Sequence, residues 1–108
     1  MSLVEFNSQE MAKEELQARR FVVFGRVQGV GYRNFVETIA GKMALQGFVR
    51  NRRDGSVEVF AMGTGATLAE FRAELEKGPM MARVTNVNEE PGTMDTRYLG
   101  NFSIEITI

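Results

Sequence analysis

Two segments of this chain bring together residues able to do chemistry on an anion. The first is Gly25-Arg26-Val27-Gln28-Gly29-Val30-Gly31-Tyr32-Arg33, and the second is Gly47-Phe48-Val49-Arg50-Asn51-Arg52-Arg53-Asp54-Gly55. A glycine-punctuated loop that leaves an apolar strand and enters a helix frees backbone N–H groups. Beside a guanidinium, such groups form a ready seat for a phosphate or another compact oxyanion. Gln28, Gly29, Val30, Gly31 and Tyr32 are the residues whose backbone would curl around that anion. Gly29 and Gly31 permit the close approach and left-handed geometry that a Cβ resists. Arg33 adds a planar fork that binds two oxygens at once, which lysine does not reproduce. Asn51 ends a strand next to an Asp-Gly turn and supplies a neutral hydrogen-bonding group across from the cradle.

The composition narrows the chemistry further. The 108 residues include no His and no Cys. Phosphohistidine, cysteinyl phosphate and thiolate or imidazole metal sites are therefore out of reach. Catalysis must rest on Arg, Asn, backbone amides, carboxylates, hydroxyls or water, which suits a reaction whose leaving group needs little help. A net charge of −1 argues against coating nucleic acid or an anionic membrane. There is no apolar run of about twenty residues to span a bilayer. No basic start leads into an apolar core, so a cytoplasmic location is the default expectation. Arg26, Arg33, Lys42, Arg50, Arg52 and Arg53 cluster between residues 26 and 53, against only Glu37 and Asp54. That excess predicts a locally positive mouth able to steer a small dianion.

The surrounding elements follow from periodicity. Residues 21–27 are an apolar, β-branched run that reads as a central strand. Residues 34–45 place Phe35, Val36, Ile39, Ala40 and Met43 at helical spacing. Ala44 stands at the helix end, where a left-handed cap would be costly for it. Residues 46–51 and 56–63 read as strands joined by an Asp-Gly turn. Residues 67–77 form a second helix, with Thr67 and Glu70 as a capping box and Leu68, Phe71 and Leu75 as its stripe. Gly78-Pro79 stops it. Residues 82–88 predict an irregular strand, because Val84 and Val87 fall on opposite parity. Residues 101–108 alternate cleanly, with Phe102, Ile104, Ile106 and Ile108 on one side. Residues 1–20 read as an N-terminal extension, weakly helical or disordered, with Ser8 placed to cap a helix over 9–20. Glu58 reads as part of a solvated strand face, Arg50, Arg52 and Arg53 as a solvated hairpin face, and the Met residues as core filler. The order of elements is that of an α+β, ferredoxin-like α/β sandwich: an antiparallel sheet of four to five strands with two helices on one face.

The two opening segments resemble the signature motifs of the acylphosphatases, small enzymes that hydrolyse the carboxyl-phosphate bond of acyl phosphates. Val23 to Arg33 follows the first motif, which runs apolar, any, Gly, any, Val-Gln-Gly-Val, any, Phe or Met, Arg. It departs only at Tyr32, whose hydroxyl needs a partner if buried. Gly47, Phe48, Val49, Asn51, Gly55, Val57 and Gly63 fall on the second motif. The resemblance covers roughly residues 20–108 and implies an acylphosphatase-like domain over 21–108, with a ferredoxin-like fold. It implies that Arg33 binds the phosphate, that Asn51 positions the attacking water, and that no metal or other cofactor takes part. The implied partner is a small-molecule acyl phosphate; the charge and apolar pattern point to no nucleic acid and no membrane, and the size of the chain points to a monomer.

The alternative from another class is a non-enzymatic ferredoxin-like module that binds a small anion or RNA. Basic residues interleaved with Tyr32, Phe48 and Phe60 suggest it. The aromatic strand motif of RNA-recognition domains is absent, however, and the net charge is unfavourable. Tyr32 and Phe48 read as packing residues rather than base platforms. A second alternative is the acylphosphatase-like domain of larger carbamoyl-transfer maturation proteins. Those carry zinc-finger segments, and a chain without Cys favours the standalone enzyme.

Overall fold

The computed structural model describes residues 15–108. Strand β1 spans Leu16–Arg26 and helix α1 spans Tyr32–Lys42; strands β2 and β3 span Gln46–Asn51 and Val57–Thr64. Helix α2 covers Gly65–Lys77, strand β4 Arg83–Pro91, and strand β5 Phe102–Ile104 after a 3₁₀ turn at Thr96–Tyr98. The sheet runs β4-β1-β3-β2-β5. Phe21, Val23, Val49, Val57, Val59 and Ala61 project from one face and pack on Val36 and Ala40 of α1 and Leu68, Phe71 and Leu75 of α2. Among the described residues, no helix is long and apolar enough to cross a membrane.

Several boundaries differ from the sequence expectation. β1 begins at Leu16, pairing Leu16 with Thr64 and Arg20 with Phe60. Residues 16–20 are therefore strand and not the end of a helix, because pairing with β3, joined by β4 from Arg19 onward, overrides the helix preference of Leu, Gln, Ala and Arg. The remainder of that expected extension lies outside the described residues. α1 starts two residues early, at the glycine loop itself. α2 also starts early, and its cap is Thr64, whose side chain accepts a hydrogen bond from the Thr67 N–H. Thr67 is thus inside the helix, and the expected capping box is replaced by a Thr64 cap.

The sheet is mixed. β1, β3, β2 and β4 pair antiparallel, whereas β5 pairs parallel to β2, with Phe48 opposite Ser103. β4 descends, the connection crosses at that end, and the final strand must rise beside β2, which also rises. Alternation in residues 101–108 reveals a strand but not its direction. The strand is also short: Ile106 is 84% exposed and Ile108 is exposed, although Ile108 still donates its N–H to the Asn51 carbonyl. The expected irregularity in β4 is present. The register shifts at Phe24/Gly25, so Gly25 faces Val84 and Phe24 faces Asn86. At Gly25 a Cβ would lie 2.1 Å from the Arg83 carbonyl oxygen, so only glycine permits this closeness.

Ala44 adopts φ 54°, the left-handed conformation that costs a non-glycine residue about 1–2 kcal/mol. Ala44→Gly is expected to stabilise the protein by about 1 kcal/mol, read as a rise of several degrees in Tm. An unchanged or lower Tm would show that the strain is relieved elsewhere.

The sheet face away from the helices carries Phe48, Phe60 and Tyr98, with Phe48 and Phe60 rings stacked at 5.7 Å. Beside them Glu58 is buried, which corrects the solvated reading. It accepts from Arg20 Nε at 2.5 Å and from Arg50 Nε at 2.7 Å. Burial pushes its carboxyl up, but the hydrogen bonds and charges of Arg20 and Arg50 outweigh burial and hold it below the ordinary carboxylate range. A depressed folded-state value stabilises the fold above the unfolded value and loses that contribution as pH falls through the folded one. Stability should therefore drop as pH falls below the ordinary value of 4.5. Glu58→Gln should flatten that slope in urea titrations and cost about 3 kcal/mol at neutral pH, the low end for a broken buried pair because both arginines reach water. An acid limb identical to wild type would remove Glu58 from this role. The methionines also divide: Met62 is buried in this layer, while Met80 is 98% exposed and Met81 and Met94 are exposed too.

Candidate active site

A cavity of about 210 Å³ opens where β1 passes into α1, lined by Val27, Gly29, Gly31, Tyr32, Arg33, Asn34, Asn51 and Ile104. Its wall on one side is the glycine loop. Gly29 and Gly31 hold φ 71° and 78°, and a Cβ at either would meet no protein atom within 4 Å. Backbone conformation, not crowding by the protein, is what requires glycine there. Gly31 is the N-cap of α1 and offers no side chain; the first turn also carries no acidic residue. The first-turn N–H groups therefore have no capping side chain and no local carboxylate competing for them, which leaves them open to an external anion.

Of the five loop residues expected to form the cradle, Gly29, Gly31 and Tyr32 line the cavity. Gln28 serves from behind. Its amide donates to the carbonyls of Arg52 and Ser56, both at 2.8 Å, which ties the loop to the β2–β3 turn. Val30 packs against the core. The Tyr32 ring is buried, and its hydroxyl donates to the Leu75 carbonyl at 2.8 Å, meeting the requirement that the motif departure created. Burial pushes that hydroxyl's pKa far up, so it stays protonated. The bond also satisfies a carbonyl in the last turn of α2 that would otherwise lack an intrahelical partner.

Arg33 and Asn51 both line this cavity, one from α1 and one from the end of β2. Arg33 has no carboxylate partner among the described residues. The Asn51 Oδ1 is buried with no hydrogen-bond partner among the described residues. A buried amide oxygen without a partner costs about 1–3 kcal/mol. It is the mark of a group that awaits a donor from a ligand or water. The backbone around it is rigid: Arg52 N–H donates to the Ser56 carbonyl, and Asp54 accepts from the Ser56 N–H and hydroxyl, closing the turn.

The expected positive mouth is more selective than residue order suggested. Arg50 pairs with Glu58 and lies over the Phe48 ring at 4.8 Å. Arg52 lies 4.0 Å from Asp54, and Lys42 is at the far end of α1. Among the described residues, Arg26, Arg33 and Arg53 keep no carboxylate partner. Asn34, Val27 and Ile104 join the lining without having been singled out. Asn34 could have been found as the next first-turn residue after Arg33, but nothing local marks Ile104. Tyr32, Phe48 and Phe60 are packed within the fold, as ring contacts with Phe35 and Tyr98 show. No group of three or more acidic, His or Cys side chains that could hold a metal ion gathers among the described residues.

Comparison with known proteins places this geometry among relatives. The family model described as acylphosphatase matches residues 19–104. An acylphosphatase from Rhodopseudomonas palustris (strain BisB18) is 54% identical over 77 residues, covering 71% of this chain and 78% of the relative. One from Koribacter versatilis (strain Ellin345) is 49% identical over 94 residues, covering 87% of this chain and 84% of that protein. The crystal structure of acylphosphatase from Bacillus subtilis superposes with a TM-score of 0.77 at 37% identity, covering 84% of this chain and 99% of that one.

Proposed function

This chain belongs to the acylphosphatase family and hydrolyses acyl phosphates, and from that premise we propose how its own residues perform the reaction. Arg33 and the backbone N–H groups from Gln28 to Tyr32 hold the phosphoryl oxygens. Asn51 holds the attacking water through the Oδ1 that is buried without a partner. The single observation that carries this reading is that orphaned oxygen, on the same cavity as Arg33 and the loop.

The water oxygen forms a bond to phosphorus while the bond from phosphorus to the acyl oxygen breaks. The electron pair leaves with the carboxylate, and a water proton ends on the phosphate. A carboxylate is a good leaving group, so positioning and charge stabilisation supply most of the effect. No side chain needs to act as a strong base or nucleophile.

The test is phosphate release from benzoyl phosphate in the presence of EDTA and H₂¹⁸O. Turnover well above the spontaneous rate, with the label in phosphate and none in benzoate, is the expected result. Label in the benzoate would mean attack at carbon and would sink the assignment of Asn51 to water at phosphorus.

A further inference from the structure

The two halves of the site come from parts of the chain that the sheet ladder does not join. β1 pairs with β3 only as far as Val23, opposite Val57, and Phe24 to Arg26 pair with β4 alone. The glycine loop then leaves the sheet, while Asn51 ends β2 opposite Val57 and passes into the β2–β3 turn. Among the described residues, no backbone hydrogen bond runs from residues 27–31 to residues 51–56. Core packing through Val27 and Val57 brings the halves near one another, but apolar contact is non-directional and does not fix their spacing.

A side chain makes the missing join. Gln28 is half-buried and stands one residue before the cavity-lining Gly29. Its amide nitrogen donates to the Arg52 carbonyl and to the Ser56 carbonyl, each at 2.8 Å. Arg52 follows Asn51 in the chain and Ser56 precedes Val57, so both acceptors adjoin the rung that carries Asn51. Both amide hydrogens of Gln28 are thus spent on one turn, which it holds at two points.

In-line attack depends on this join. The phosphoryl group sits on the loop and Arg33, and the water sits on Asn51. Each half is fixed locally, Arg33 by α1 and the turn by the bonds from Ser56 to Asp54. The distance from water to phosphorus is then set by what ties the halves together, and a misplacement of about 1 Å can cost about a hundredfold in rate.

We propose that the Gln28 side chain is a positioning residue that sets the water on Asn51 against the phosphoryl group on the loop and Arg33. Its amide touches neither; it fixes the spacing between them. This rests on the phosphate seat and water position proposed above. The fold has less need of it. Without Gln28 the Arg52 carbonyl keeps the Gly55 N–H and the Ser56 carbonyl keeps the Arg52 N–H, so neither is left without a donor.

The experiment measures kcat, KM and inhibition by inorganic phosphate, with benzoyl phosphate as substrate. Wild type is run beside Gln28→Met and Gln28→Glu, each verified as folded by circular dichroism. Met keeps the length of the side chain and removes its donors, and Glu keeps the shape but turns acceptors on the two carbonyls. Both variants should lower kcat on the order of ten- to a hundredfold, with KM and phosphate inhibition close to wild type. Gln28→Met is then repeated in the Asn51→Ala and Arg33→Ala backgrounds. It should add little where no side chain holds the water, and keep its full effect where only the phosphate seat is weakened. Undiminished kcat in either single variant overturns the proposal. So does a loss that appears equally in KM and phosphate inhibition, or one that stays whole in the Asn51→Ala background. An Asn51→Ala protein with wild-type kcat would instead overturn the water position itself, and the role of Gln28 with it.

Discussion

Arg33→Ala is expected to lower kcat/KM for an acyl phosphate at least about a hundredfold, the loss of about 2.7–4 kcal/mol that follows removal of one preorganised donor. The guanidinium lines the cavity without a carboxylate partner among the described residues, so its donor set is available to a phosphoryl group. Inhibition by inorganic phosphate should weaken in parallel, because in the proposed mechanism Arg33 binds the group that substrate and product share. Arg33→Lys should recover only part of the loss, since an ammonium supplies charge without the fork. The fold should tolerate both changes, as Arg33 holds no partner that would be stranded. A folded Arg33→Ala protein with undiminished turnover would remove the residue from the phosphate seat.

Asn51→Ala is expected to lower kcat about as far while leaving KM close to wild type, since in the proposed mechanism the residue holds the water and not the bound phosphate. This split separates it from Arg33, whose loss affects binding as well. The change also removes a buried polar oxygen that has no partner, so the protein should become no less stable and by the desolvation argument somewhat more so. Activity lost while Tm holds or rises is the signature of a group kept for function at a cost to the fold. A drop in Tm with kcat intact would assign Asn51 to the β2–β3 turn instead.

Much of the candidate site was legible because the groups that form it are local in the chain. The loop from Gln28 to Arg33 needs glycines at two left-handed positions and an arginine in the first helical turn. Each of those demands is met within nine residues and is visible in the spacing. The hairpin that ends in Asn51 is marked by its own Asp-Gly turn. The helices and central strands were likewise marked by their apolar periods, with boundary errors where a tertiary partner decided. Residues 16–20 became strand through pairing with β3 and β4, and Thr64 became a cap because β3 delivers it to the start of α2.

The misreadings share one cause. Glu58 looked solvated because an acid in an alternating strand usually is, yet Arg20 lies 38 residues away and completes its burial. The cluster of cations between residues 26 and 53 looked uniform in sequence. In space, Glu58 withdraws Arg50, Asp54 lies near Arg52, and β4 brings in Arg83 from 57 residues beyond Arg26. The sequence by itself determined which groups could do the chemistry and the local backbone geometry of the loop, because glycine, arginine and turn preferences act over a few residues. Only the tertiary structure decided which charges remain unpaired, which polar oxygen is left without a partner, and that the last strand runs parallel to β2. Those properties depend on long-range pairing, in which a side chain's partner is set by sheet order and register and not by distance along the chain.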